Sequence, residues 1–160
     1  MGDKAGAILG IDLGERRIGL AIADPEGLAA HPLATIPRAR DIDADAANLA
    51  RTVATNGIAE LVIGLPIDGS GGEGAMAIAA RAWAAAIGAR LGLPVAMRDE
   101  RLSSHVAESR LGPMPRGRSG GPPSRTQRDR YRGRVDREAA AIILQDELDA
   151  RRSHGERAPG

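Results

Sequence analysis

Two apolar runs with almost nothing between them restrict this chain most. Ala7 to Asp12 is stopped by Leu13-Gly14-Glu15-Arg16, and Arg17 to Asp24 resumes the pattern at once. So tight a connection between two such runs indicates a β-hairpin, so the chain is expected to begin as antiparallel sheet. His31 to Ile36 reads as a third strand, with Pro32 at its beginning, where a missing N–H is tolerated.

The pattern then changes to alternating helix and strand. Asp43 to Asn56 carries Ala46, Ala47, Leu49, Ala50 and Val53 at helical spacing, closed by Asn56-Gly57. Glu60 to Leu65 is a buried strand type, Pro66 to Gly72 a glycine-rich loop, and Glu73 to Leu91 an alanine-rich helix stopped by Gly92. Pro94 to Arg98 reads as a strand and Ser103 to Leu111 as a short helix with Ser103 as its N-cap. A hairpin followed by strands alternating with helices implies an α/β fold whose mixed sheet is parallel in its later part and flanked by helices. At 160 residues one domain is expected, over residues 1–152. With no Phe, one Trp and one Tyr, its core must be built from Ala, Leu, Ile and Val, which implies helices packed closely on the sheet.

Charge is nearly balanced, 22 basic against 21 acidic side chains, but unevenly placed. Gly112 to Arg134 holds four prolines, several glycines and serines, and arginines opposed by Asp129 alone. It reads as a mobile basic loop ahead of a last helix from Val135 to Arg151, and residues 153–160 read as a disordered tail. The absence of cysteine excludes disulfide scaffolds, thiolate zinc sites and cysteine nucleophiles. No run approaches the roughly 20 apolar residues of a membrane span and no signal peptide is visible, so a soluble, cytoplasmic protein without a membrane partner is expected.

Acids stand at three structurally telling places. Asp12 ends the first strand on the face shared by Ile8 and Gly10, and Asp99-Glu100 follows the strand ending at Arg98. Asp136 opens the last helix, and at about 100° per residue it lies on the stripe of Ala139, Ala140 and Ile143 that faces the sheet. Singly, each has an ordinary reading: a turn residue, a surface ion-pair cluster, and a first-turn acid favoured by the helix dipole. Together they point to one edge, because ligands of open α/β sheets lie beyond the carboxyl ends of the strands. Crowded carboxylates repel unless a cation neutralises them. Oxygen donors without cysteine suit Mg²⁺ or Mn²⁺ rather than zinc, and paired hard cations are a common means of cleaving phosphodiesters.

The motifs Ile8-Leu9-Gly10-Ile11-Asp12-Leu13-Gly14 with Arg16-Arg17-Ile18-Gly19, Val62-Ile63-Gly64-Leu65-Pro66 with Asp68-Gly69-Ser70, Asp99-Glu100-Arg101-Leu102-Ser103, and Val135-Asp136 with Ala139-Ala140-Ile143-Leu144 resemble the YqgF family, also called RuvX. The resemblance runs in order from Gly6 to about Asp149. It implies an RNase H-like fold akin to RuvC. It also implies a metal-dependent nuclease, described in that family both as acting in 5′-end maturation of pre-16S ribosomal RNA and as a Holliday junction resolvase. Asp12, Glu100 and Asp136 would be the catalytic metal ligands, with Asp99 the alternative to Glu100, since alternation sends the two side chains to opposite faces. The stretch from Gly112 to Arg134 is longer than is usual there.

The arginines have two readings. Solvated charge in a linker is the plain one. The other is phosphate tracking, in which Arg125, Arg128, Arg130, Arg132 and Arg134 order on a nucleic acid backbone while Arg16, Arg17 and Arg101 hold phosphates beside the metals. Expected partners are structured precursor rRNA or branched DNA, and a pre-ribosomal particle, for a monomer or homodimer. Two rivals stay open. Gly10 to Gly14 is similar to the first phosphate loop of actin-like ATPases and sugar kinases, which need two such domains. A non-catalytic RNA-binding module would keep the fold, but a binder of polyanions gains nothing from three acids.

Overall fold

The computed structural model describes residues 6–66, 74–100 and 103–157. The chain runs β1 (Ala7–Leu13), β2 (Arg17–Ala23), β3 (Ala30–Pro37), α1 (Ile42–Asn56), β4 (Ile58–Leu65), α2 (Ala75–Leu91), β5 (Val95–Asp99), α3 (Ser103–Leu111) and α4 (Arg125–Arg157). The five strands form one sheet in the order β3-β2-β1-β4-β5. β1, β2 and β3 are antiparallel neighbours, whereas β4 joins β1 in parallel and β5 joins β4 in parallel. The expected hairpin start and parallel continuation are both present. Pro32 lies on the edge strand, where the register with β2 shifts between Leu20 and Ala21, so its missing N–H interrupts no internal ladder.

Strand alternation divides the sheet's side chains between two layers. Leu9, Ile11, Ile18, Leu20, Leu61 and Ile63 face α1 and α2, meeting Leu49, Trp83 and Ile87. Ile8, Ala21, Ala23 and Val62 face α4, meeting Ala140, Ile143, Leu144 and Leu148. α3 lies on α4 through Ala107, Val135, Ala139 and Ile142. The small side chains on the α4 face let that helix come close to the sheet, as an alanine-rich core requires.

One buried polar group ties the first layer to the β1–β2 turn. Asp45 accepts hydrogen bonds from Trp83 Nε1 at 3.1 Å, the Ala39 amide at 2.8 Å and Arg38 Nε at 3.2 Å. A buried carboxylate is tolerable only with such partners. Arg38 in turn donates through Nη1 to the Gly14 carbonyl at 2.9 Å, and its amide donates to the Arg16 carbonyl at 2.8 Å. The turn that carries Arg16 and Arg17 is therefore anchored from below.

Four expectations are corrected in the second half of the chain. The loop read over residues 112–134 is helical from Arg125, so Arg125, Arg128, Arg130, Arg132 and Arg134 lie on α4. Ser124 and Gln127 start that helix: the Gln127 amide donates to Ser124 Oγ at 3.1 Å and the Ser124 amide to Gln127 Oε1 at 2.8 Å, a reciprocal capping box. The tail read from Ser153 is helical as far as Arg157. Asp136 consequently sits well inside a helix rather than in its first turn, beyond the reach of a dipole whose effect fades within one turn. Ser103 does not act as an N-cap acceptor; its hydroxyl donates to the Glu100 carbonyl at 2.9 Å, tying α3 to the end of β5.

Candidate active site

Each acid reaches the site on a different element. Asp12 lies near the end of β1, opposite Gly19 of β2. The backbone of α4 rests directly on Gly19, where a Cβ would collide with the Asp136 carbonyl. Glycine at that position is what seats Asp136 over the strand pair that holds Asp12. Glu100 follows β5, its amide donating to the Leu65 carbonyl at 3.1 Å, and its side chain turns toward α4 over Gly64. A Cβ on Gly64 would lie 2.6 Å from Glu100 Oε2 and 2.6 Å from Ile143 Cδ1. Asp99 pairs in register with Leu65 and is exposed. The structure thus brings Glu100, and not Asp99, onto the face that carries Asp12.

Asp12 and Glu100 share a side-chain hydrogen bond. Burial, the bond to Asp12 and the charges of Asp12 and Asp99 push the Glu100 carboxyl up to about 9. Burial also raises Asp12, with the Asp136 charge adding to it and the hydrogen bond from Glu100 opposing it. Both carboxyls are thus pushed toward their protonated forms, Glu100 most strongly. Glu100 Oε2 is buried and has no hydrogen-bond partner among the described residues. An orphaned buried acceptor beside a carboxylate is costly unless a cation or a further donor meets it. This donor set, all oxygen and all carboxylate, fits a hard divalent cation.

Asp136 stands close but is engaged elsewhere. Arg17 Nε pairs with its Oδ2 at 2.6 Å, in a contact whose side chains are 28% and 23% exposed. Among the described residues no group of three or more acids, histidines or cysteines is arranged to hold a metal ion. The expected convergence is thus present as a pair, Asp12 with Glu100, and an adjoining third acid held by an arginine.

The arginines fall into two helical stripes. Arg125, Arg128 and Arg132 line a cleft of about 700 Å³ together with Arg16, Arg17 and Asp136. Their spacing places them along one face of α4, with Asp136 one further step down the same face. Arg130 and Arg134 face a different groove of about 490 Å³ against β3, with Thr35 and Arg137. Arg137, absent from the sequence expectations, donates to Thr35 Oγ1 at 3.4 Å. Arg137 already lay inside the helix expected from Val135, but its contact across to β3 has no local sequence signal. Tyr131 packs between α3 and α4 and donates to the Gly112 carbonyl at 2.7 Å, a structural contact. Arg101, and the Asp68-Gly69-Ser70 part of the second motif, lie outside the described residues.

A mixed five-stranded sheet in this order, with acids at the ends of β1 and β5 and on the helix crossing them, is an RNase H-like fold. The structure of T. thermophilus RuvC in complex with Holliday junction substrate superposes on 92% of this chain and 96% of that one, with a TM-score of 0.52 at 14% sequence identity. The chain belongs to the RuvX family: that family's profile, described as Holliday junction resolvase, matches residues 6–150. Among curated relatives, a protein of Anaeromyxobacter sp. (strain Fw109-5) is 46% identical over 89% of this chain and 96% of its own length. One of Chloroflexus aggregans is 44% identical over 91% and 95%. Both carry the name "Putative pre-16S rRNA nuclease".

Proposed function

We propose that this chain is a metal-dependent nuclease that hydrolyses phosphodiester bonds in 5′-end maturation of pre-16S rRNA. The observation that carries the reading is the Asp12–Glu100 pair with its buried, orphaned Oε2, and Asp136 next to it in the wall of a cleft that five arginines line. Asp12 and Glu100 would hold Mg²⁺ or Mn²⁺, with Asp136 as a third ligand. A bound cation of this kind supplies Lewis-acid stabilisation of a scissile phosphate and lowers the pKa of attacking water. Arg16, Arg17, Arg125, Arg128 and Arg132 would hold the nucleic acid backbone, and Arg130 and Arg134 would meet it on the β3 side. The names of the Anaeromyxobacter and Chloroflexus relatives favour precursor rRNA as substrate.

A second reading, junction resolution on DNA, is favoured by the description of the family profile. The two differ in substrate and not in site, so matched turnover separates them. Mg²⁺-dependent cleavage of a precursor 16S RNA 5′ segment, with little on a four-way DNA junction, is expected; the reverse preference would establish the second reading. Asp12→Asn should reduce cleavage of either substrate at least about a hundredfold while leaving the circular dichroism spectrum unchanged, since it removes a ligand charge at constant volume. Full activity in that variant would refute the site assignment.

A further inference from the structure

A phosphate and a cation would occupy neighbouring places in this site, and the Arg17 side chain stands between the two. Arg17 lines the arginine cleft along which a phosphodiester would approach, and the same guanidinium grips Asp136 at 2.6 Å. The Asp136 backbone lies against Gly19, the register partner of Asp12, so α4 brings Asp136 beside the strand pair that carries Asp12. The helix backbone there is fixed by its contact with Gly19, which leaves side-chain rotation as the way for the Asp136 carboxylate to join Asp12 and Glu100. While Arg17 holds it, no three acids among the described residues form a cation site.

The ion pair is not needed to hold α4 in place. The helix is already fixed by its apolar face against Ile8, Ala21 and Val62 and by the Thr35 hydroxyl donating to the Gly133 carbonyl. Partly exposed ion pairs add little stability in any case. A phosphodiester, by contrast, offers a guanidinium two anionic oxygens in the geometry it binds best.

We propose that Arg17 is a latch: paired with Asp136 it keeps the third carboxylate from Asp12 and Glu100, and an arriving phosphate draws it away, so that nucleic acid and divalent cation bind cooperatively. Arg17 is a positioning residue in this scheme. The inference rests on the nuclease reading above and adds an order to it, because linkage requires each ligand to strengthen the other by the same factor. The site would stay short of one ligand until substrate is present, which limits futile cation capture.

The test is direct Mn²⁺ binding, followed by the loss of the free-ion paramagnetic resonance signal. It is run with and without a short DNA duplex of phosphorothioate backbone, which resists hydrolysis. In the wild type the duplex should tighten Mn²⁺ binding about tenfold. Arg17→Gln and Arg17→Ala should each bind Mn²⁺ about tenfold tighter than wild type without duplex and respond little to its addition. Adding Asp136→Asn to either should cancel the gain. Arg16→Ala removes the same charge from the same turn while leaving the Arg17–Asp136 pair in place, and without duplex should change Mn²⁺ affinity less than about twofold. Unchanged affinity in both folded Arg17 variants, or an equal gain in Arg16→Ala, would overturn the latch while leaving the cation site standing. Should the wild type show no saturable Mn²⁺ binding that Asp12→Asn abolishes, with or without duplex, the nuclease reading itself fails and the latch with it.

Discussion

The raised carboxyl of Glu100 gives the metal-free protein one specific dependence on pH. Glu100 titrates at about 9 in the folded chain against an ordinary 4.5, so folding favours its protonated form. The stabilisation this gives is fully present below pH 4.5 and is lost as pH rises through about 9. Thermal melts in EDTA should therefore show a melting temperature that falls from pH 5 to pH 9. Glu100→Gln keeps a neutral group of the same size, so it should flatten that slope and melt a few degrees above wild type at pH 8, equivalent to about 2 kcal/mol. Identical slopes in the two proteins would show that Glu100 ionises as easily folded as unfolded. Stability and proposed chemistry pull in opposite directions at this residue, as expected where a buried acid is kept for a cation.

At the scale of elements, α4 decides what the site looks like. Its first turns extend beyond the sheet and carry Arg125, Arg128 and Arg132 to the cleft, and they are held by the Ser124–Gln127 capping box and little apolar burial. Arginine in the first turn also opposes the helix dipole, by about 0.3–1 kcal/mol per charge. Ser124→Ala with Gln127→Ala should thus fray residues 125–131 without loosening the rest. Amide exchange should quicken there while Ala139 to Leu148 stays protected and the global melting temperature changes by no more than about 3 °C. Uniform loss of protection would mean that the cap supports the whole helix. The same helix shows what could be read from the sequence. The hairpin, the strand order of types and the sheet-facing stripe through Ala139, Ala140 and Ile143 were legible because burial imposes a period on them. The exposed turns from Arg125 to Arg134 impose none, and their proline- and glycine-rich prelude suggests loop; only the Ser-x-x-Gln signature marks the true start. That acids stand at the ends of β1 and β5 was legible from the strand pattern, whereas their assignment as ligands came only from the family resemblance. The engagement of Asp136 by Arg17 was not, since it depends on a close approach over Gly19 that no local pattern encodes.

The whole molecule is nearly neutral, with 22 basic and 21 acidic side chains, so the proposed affinity for a polyanion cannot come from net charge. At physiological salt, fields from exposed charges fade within about 8 Å, which leaves binding to arginines that touch the backbone. Those of one α4 stripe stand beside Asp136, whereas the far end of the helix is closed off by pairs of its own, Arg151 with Glu60 and Glu147 and Arg152 with Asp149. A salt titration of affinity should therefore be assignable to named side chains. Replacing Arg125, Arg128 and Arg132 together with Ala should lower the slope of log affinity against log salt by about 2 to 2.7, at 0.7 to 0.9 per phosphate contact. Replacing Arg130 and Arg134 tests the groove against β3 separately, at about 1.4 to 1.8 if both reach phosphate. Single-turnover rates at saturating substrate should be largely restored in both variants, because contacts remote from the reacting phosphate bind ground and transition states alike. A slope unchanged in the triple variant would return the stripe to the role of solvated surface charge, and a rate still lost at saturation would place one of its arginines at the scissile phosphate itself.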